Sequence, residues 1–178
     1  MKWLFVGLAV LVVTGAIVAA VGSRVPREHV ASVQARFTAS PEAVWALISA
    51  PANYASWRTD LTSVALNAPR DGRTAWTETS RNGAIAYEIT ESVAPSRLVT
   101  HITDESLPYG GQWEFTLEPS GSGAVLTIVE RGFVQPVFFR FMARYLFGYT
   151  ATLAGYQRSL AAKLGETSAA PIVIASGH

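Results

Sequence analysis

An α+β domain with seven antiparallel strands, a long closing helix and a membrane-spanning helix in front is the fold this sequence predicts. Three observations carry it. A charge-free apolar run opens the chain, and stretches of two-residue alternation recur from Val30 to Phe133, parted by short turn-rich loops. An aromatic segment with helical spacing then closes the chain.

The opening run, Trp3 to Gly22, would reach roughly 30 Å as a helix, the thickness of a bilayer's hydrocarbon. It exceeds the usual core of a cleaved signal peptide, although Val18 and Ala20 are the small residues a signal peptidase would need. Residues 1–23 are therefore expected to form an uncleaved, single-pass membrane anchor. Gly15 and Ala19 form a small-xxx-small pair on it. Positive charge lies on both sides, Lys2 before the run and Arg24 and Arg27 after it, so the side on which the domain lies stays open.

Residues 24–29 read as a linker and 30–166 as the domain. Val30 to Phe37 alternate as a half-buried strand. A helix follows, with Ser40 as N-cap, Pro41 in the first turn and Glu42 near the positive end of its dipole. A short second helix carries Asn53 to Trp57. From Thr62 six more strand signals follow, with the Asn82-Gly83 pair suited to a tight hairpin and "SGSG" to another connection. From Pro136 to Gly165 a single helix of nearly thirty residues is expected, with Phe138, Phe141, Tyr145, Tyr149, Thr152 and Tyr156 along one face. Residues 167–178 lack periodicity and read as a disordered tail.

Composition excludes several functions. A net charge of +1 offers no basic stripe for nucleic acid, and the absence of cysteine removes thiol catalysis and thiolate metal sites. Three scattered histidines, His29, His101 and His178, make no metal motif, so neither a metal nor a cofactor is expected. The oligomeric state is left open.

The stretch "FTASPEAVWALISAPANYASW" resembles the opening of the polyketide cyclase/dehydrase-like group of the START-like (SRPBCC) superfamily. "GGQWEFTLEP", "GSGAVLTIVERG" and "FFRFMARYLFG" are similar to its closing half. The resemblance covers about Val30 to Glu166. It implies a helix-grip fold, in which a curved sheet wraps around the C-terminal helix, and an apolar cavity between them for a lipid, sterol, polyketide or quinone. Some relatives are cyclases, many only bind, and members most like this chain carry an N-terminal membrane span.

The candidate cavity residues are Trp76, Glu78, Tyr87, Ile89, Trp113 and Phe115 on the sheet and Phe141, Tyr145, Tyr149 and Tyr156 on the helix. Glu130 shares a strand face with Leu126 and Ile128. It either serves as a general acid or base, as Glu78 also could, or takes hydrogen bonds at the helix start or pairs with Arg140 or Arg144. His101 reads as a surface or rim residue. Arg140 and Arg144 lie one turn apart on a nearly all-apolar half-helix, which either meets membrane lipid or is covered by the two short helices. The expected function is a membrane-anchored protein binding a small hydrophobic ligand, with a cyclase or dehydratase-type enzyme as the alternative.

Overall fold

The computed structural model describes residues 2–166 and 171–177. Helix α1, Lys2–Arg24, is long and apolar enough to cross a membrane. It leads through Val25–Arg27 into strand β1, Glu28–Phe37, so β1 begins inside the expected linker. Val25 is itself buried.

Helix α2, Pro41–Ile48, starts where the sequence marks it: the Ser40 hydroxyl accepts from the Ala43 amide at 3.4 Å, and Pro41 occupies the first turn. A 3-10 helix, Pro51–Ser56, replaces the expected second helix. Strands β2 (Leu61–Leu66), β3 (Ala75–Ser80), β4 (Gly83–Val93), β5 (Arg97–Ile102), β6 (Tyr109–Ser120) and β7 (Gly123–Val134) follow as antiparallel neighbours. With β1 paired to β7 they form the seven expected strands.

Two expectations are corrected. The sheet has an eighth strand, β8 (Ile172–Gly177), which pairs antiparallel with β1 in the order β2-β3-β4-β5-β6-β7-β1-β8. The physical reason is the free edge of β1 beside a β-branched run, Ile172-Val173-Ile174, able to satisfy its hydrogen bonds. Over 172–177 this replaces the disordered tail; residues 167–170 and 178 lie outside the described residues.

The second correction concerns the closing helix, which is broken. Helix α3, Val137–Met142, runs into a π-helical turn, Ala143–Phe147, and ends at Gly148, whose φ of 74° no helix allows. Helix α4, Ala151–Lys163, then restarts. Gly148 takes this conformation without the clash a Cβ would bring, and the break lets α3 and α4 pack against different partners. Helix α3 lies against α1, where Gly22 approaches so closely that a Cβ there would fall 2.6 Å from the Val137 carbonyl oxygen.

Helix α4 grips the sheet. Leu153 and Leu160 are fully buried with Val33, Leu126 and Ile128, and between them the Gln157 amide donates to the Leu126 carbonyl at 2.9 Å. The Glu166 carboxylate, just past α4, accepts from the Thr38 and Ala39 amides and pins the helix end to the turn between β1 and α2. The strand registers place Glu28, Leu61, Ser80, Gly83, Tyr109 and Val134 at one end of the sheet, the end that receives α1.

Candidate functional site

One flank of α4 is seated on the sheet; the other faces the β2–β3–β4 wing across an open cleft of about 1030 Å3. Ala151, Thr152, Gly155, Arg158 and Ala162 form the helix side, and Trp57, Arg58, Glu78, Ile85, Tyr87 and Tyr109 much of the rest. Beneath it lies a chamber of about 60 Å3 reached past Arg58, Glu78, Tyr87, Thr152 and Tyr156, with Trp76, Thr100, Trp113 and Phe115 as its inner walls.

The floor is a buried ion pair. Arg58 directly follows the Trp57 that ends the 3-10 helix, and Glu78 sits mid-strand on β3; their side chains are 8 % and 7 % exposed. Arg58 Nη1 donates to both Glu78 oxygens, at 2.9 and 2.8 Å, and Trp76 Nε1 adds a third bond to Glu78 Oε1 at 3.1 Å. The other edge of the guanidinium donates to Asp60 at 2.6 Å, at the more exposed rim. Burial opposes the charge on Arg58. The Asp60 hydrogen bond and the Glu78 and Asp60 charges more than offset that, holding the guanidinium above its usual range.

Above the pair is an aromatic box. The Tyr156 ring is met by Trp57, Trp113, Phe115 and Tyr54 with centroids 5.2, 5.7, 5.4 and 6.3 Å away, and the Arg58 guanidinium lies 5.3 Å from its centre. Trp76 stacks on Tyr87 at 5.5 Å. Tyr54 donates its hydroxyl to the Ile48 carbonyl, and the buried Tyr156 hydroxyl, which lies beside the Tyr54 hydroxyl, forms no well-aligned hydrogen bond among the described residues. Burial, then the neighbouring Tyr54, pushes the Tyr156 phenol up; burial likewise raises Tyr54 and Tyr87, so all three are neutral donors at ordinary pH.

Six sequence candidates meet here: Trp76, Glu78, Tyr87, Trp113, Phe115 and Tyr156. Four do not. Ile89 packs against the core outside the cleft. Phe141, Tyr145 and Tyr149 lie before or at the restart of α4, because the break at Gly148 takes them off the face that carries Tyr156. Phe141 and Tyr145 pair with one another at 5.1 Å, and Tyr149 stacks on His29 at 4.1 Å.

Glu130 bonds neither Arg140 nor Arg144. Its Oε1 lies 3.2 Å from Nε2 of buried His29, on the strand directly across from it. Arg140 is corrected as a lipid contact: it is 7 % exposed, and its Nη1 donates to the Val25 carbonyl at 2.8 Å, tying α3 to the root of α1. Arg144 is exposed, and so is His101. The cavity is walled by apolar and aromatic side chains, and Arg58, Asp60, Glu78, Arg81, Asn82 and Arg158 add a polar floor and rim that, Glu78 apart, the sequence reading did not include. Sequence reasoning missed Tyr54, Arg58 and Asp60. The one available signal was an Arg and an Asp two residues apart straight after an aromatic helix end. Among the described residues no three His, Asp or Glu side chains gather in a way that could hold a metal ion.

A curved antiparallel sheet closed around a C-terminal helix, with a cleft beside that helix, defines a START-like, helix-grip domain. The chain belongs to the family described as polyketide cyclase / dehydrase and lipid transport, whose model matches residues 28–162. Truncated norcoclaurine synthase from Thalictrum flavum is structurally similar at TM-score 0.62 and 12 % identity, over 77 % of this chain and 93 % of that one. A START superfamily protein from Mycobacterium smegmatis aligns at TM-score 0.56 and 18 % identity, over 78 % and 94 %. The di-domain ARO/CYC StfQ of the steffimycin biosynthetic pathway aligns at 0.58 and 10 %, over 75 % of this chain; the chain spans 50 % of that longer protein. No curated protein matches the chain.

Proposed function

We propose that this protein is a membrane-anchored binding protein that holds one amphipathic, ring-bearing small molecule in the cleft beside α4. The observation that carries the reading is the Tyr156 hydroxyl, buried and neutral between an aromatic box and an ion pair, with the Tyr54 hydroxyl beside it but no well-aligned hydrogen bond among the described residues. A buried hydroxyl without a well-aligned bond costs free energy that a ligand acceptor, a carbonyl or an ether oxygen, would recover. The ligand's rings would stack among Trp57, Trp113 and Tyr87, with polar groups turned to the Arg81 and Arg158 rim. Helix α1 would hold the domain at the bilayer that supplies such molecules.

A second reading, a cyclase or dehydratase-type enzyme, draws on the convergence of Glu78 with Tyr87 and Tyr156. The geometry favours binding, because both Glu78 oxygens already accept from Arg58 and the three phenols are held as donors rather than bases.

The test is a titration of the full chain in nanodiscs with quinones and aromatic polyketide-like carbonyl compounds, following tryptophan emission. Saturable quenching is expected, weakened about fivefold by Tyr156→Phe, the worth of one hydrogen bond. No saturable quenching by any of them would contradict the reading. A chemically altered compound recovered after incubation would favour the enzyme.

A further inference from the structure

The strongest feature outside the cleft is an apolar surface on α3 and the π-helical turn. Phe138, Phe139, Tyr145, Leu146 and Phe147 are 54 to 68 % exposed, and they are contiguous in the chain with Phe141, whose Cβ packs beside Gly22 at the foot of α1. Neither α2 nor the 3-10 helix covers this face; α2 packs on β6 and β7, and the 3-10 helix on β2.

We infer that this face is a second membrane contact, lying in the interfacial layer of the same bilayer that α1 crosses. Three observations select a bilayer over a protein partner. The patch continues an apolar helix that itself needs lipid, since α3 meets α1 at Gly22, where the spanning run ends. Arg140, held by the Val25 carbonyl, locks α3 to the exit point of that run, so its aromatics sit at the depth where rings and headgroups mix. Exposed cations surround them, Arg24 and Arg27 after α1 and Arg144 beside Tyr145, while from Arg131 to Gly165 the chain carries no Asp or Glu. Lipid phosphates complement that charge.

Docking also fixes where the cleft opens. Tyr109, on its wall, pairs with Val134, three residues before α3 begins, and the Arg81-Asn82 tip of the β3–β4 hairpin lies at the same end of the sheet. The mouth therefore faces the headgroups, and a ligand would pass between bilayer and cleft without crossing bulk water. This rests on the anchoring and binding reading above.

The chain has no native cysteine, so single nitroxide labels can be placed cleanly by Phe139→Cys, Leu146→Cys, Leu11→Cys and Glu118→Cys in the full protein. Leu11 lies mid-α1, and Glu118 is exposed toward the far end of β6. The four proteins are reconstituted in phosphatidylcholine nanodiscs with anionic phosphatidylglycerol, and label access to oxygen and to a water-soluble nickel chelate is measured. Labels at 139 and 146 are expected to prefer oxygen by about fivefold or more relative to 118, as for groups sunk in the interfacial layer, and to approach Leu11. Nickel access at 139 and 146 equal to that at 118 would overturn the docking while Leu11 stayed lipid-exposed. Shielding from both reagents with spin-spin broadening would overturn it in favour of a second copy. A Leu11 label open to nickel would overturn the anchoring itself, and the docking with it.

Discussion

Glu78→Gln removes the charge that balances Arg58 while keeping the side chain's size. Breaking a buried pair costs about 3–5 kcal/mol, because the remaining charge stays desolvated. Asp60 still accepts from Arg58 but is about half exposed, so the loss belongs near the lower end, about 3 kcal/mol, or roughly 10 °C in Tm for a domain of this size. Arg58→Met is the harsher change. It leaves Glu78 with the Trp76 indole as its remaining bond among the described residues. Replacing both by Met removes both charges at once and should cost less than either single change, since a packed apolar pair is about as stable as a buried ion pair. Urea unfolding in nanodiscs, read through Trp57 and Trp76, measures the four corners of the cycle: wild type, Glu78→Met, Arg58→Met and the double Met variant. A double variant costing the sum of the singles, or Glu78→Gln costing less than about 0.5 kcal/mol, would refute the closed-floor picture.

Three further outcomes are expected. Gly155 sits mid-α4 with open space on its cleft side, where a Cβ would meet only an Arg158 nitrogen at 3.8 Å, so Gly155→Trp should keep or raise stability, by up to about 1 kcal/mol, while filling the cleft. Thermal unfolding checks the first half and loss of quenching the second. Gly148→Ala should cost about 1–2 kcal/mol by forcing a Cβ into a positive φ of 74°, seen as a lower urea midpoint. Tyr54, Tyr87 and Tyr156 have folded pKa values raised by burial above the ordinary 10.0, so the unfolded chain loses their protons first. Their contribution is fully present below pH 10 and lost as pH rises beyond it. The phenolate absorbance of these three should therefore appear together with alkaline unfolding, and their titration at pH 10 with the fold intact would contradict their burial.

The sheet was legible because strand signals are local. Two-residue alternation gave the seven strands, and Ser40-Pro41 marked α2. Facing positions on neighbouring strands placed Trp76, Glu78, Tyr87, Trp113 and Phe115 on one surface. What escaped depends on long-range partners. Arg58 and Asp60 look like solvated loop charges until the 3-10 helix brings Arg58 to Glu78, twenty residues on. Nothing near Glu130 points to His29, because their pairing follows from the register of β1 on β7. Two misses had local signals. Gly148 interrupts an aromatic run where a helix would favour almost any other residue, and Ile172-Val173-Ile174 after Pro171 reads as a strand once an unpaired edge is available.

Native mass spectrometry of the full chain, purified from its host membranes beside Gly155→Trp, tests most directly whether the hollow beside α4 is a ligand site. One additional mass per chain, an amphipathic ring compound present on the wild type and missing from the variant, is the expected result. A bare wild-type chain, or the same mass retained by both proteins, would contradict it.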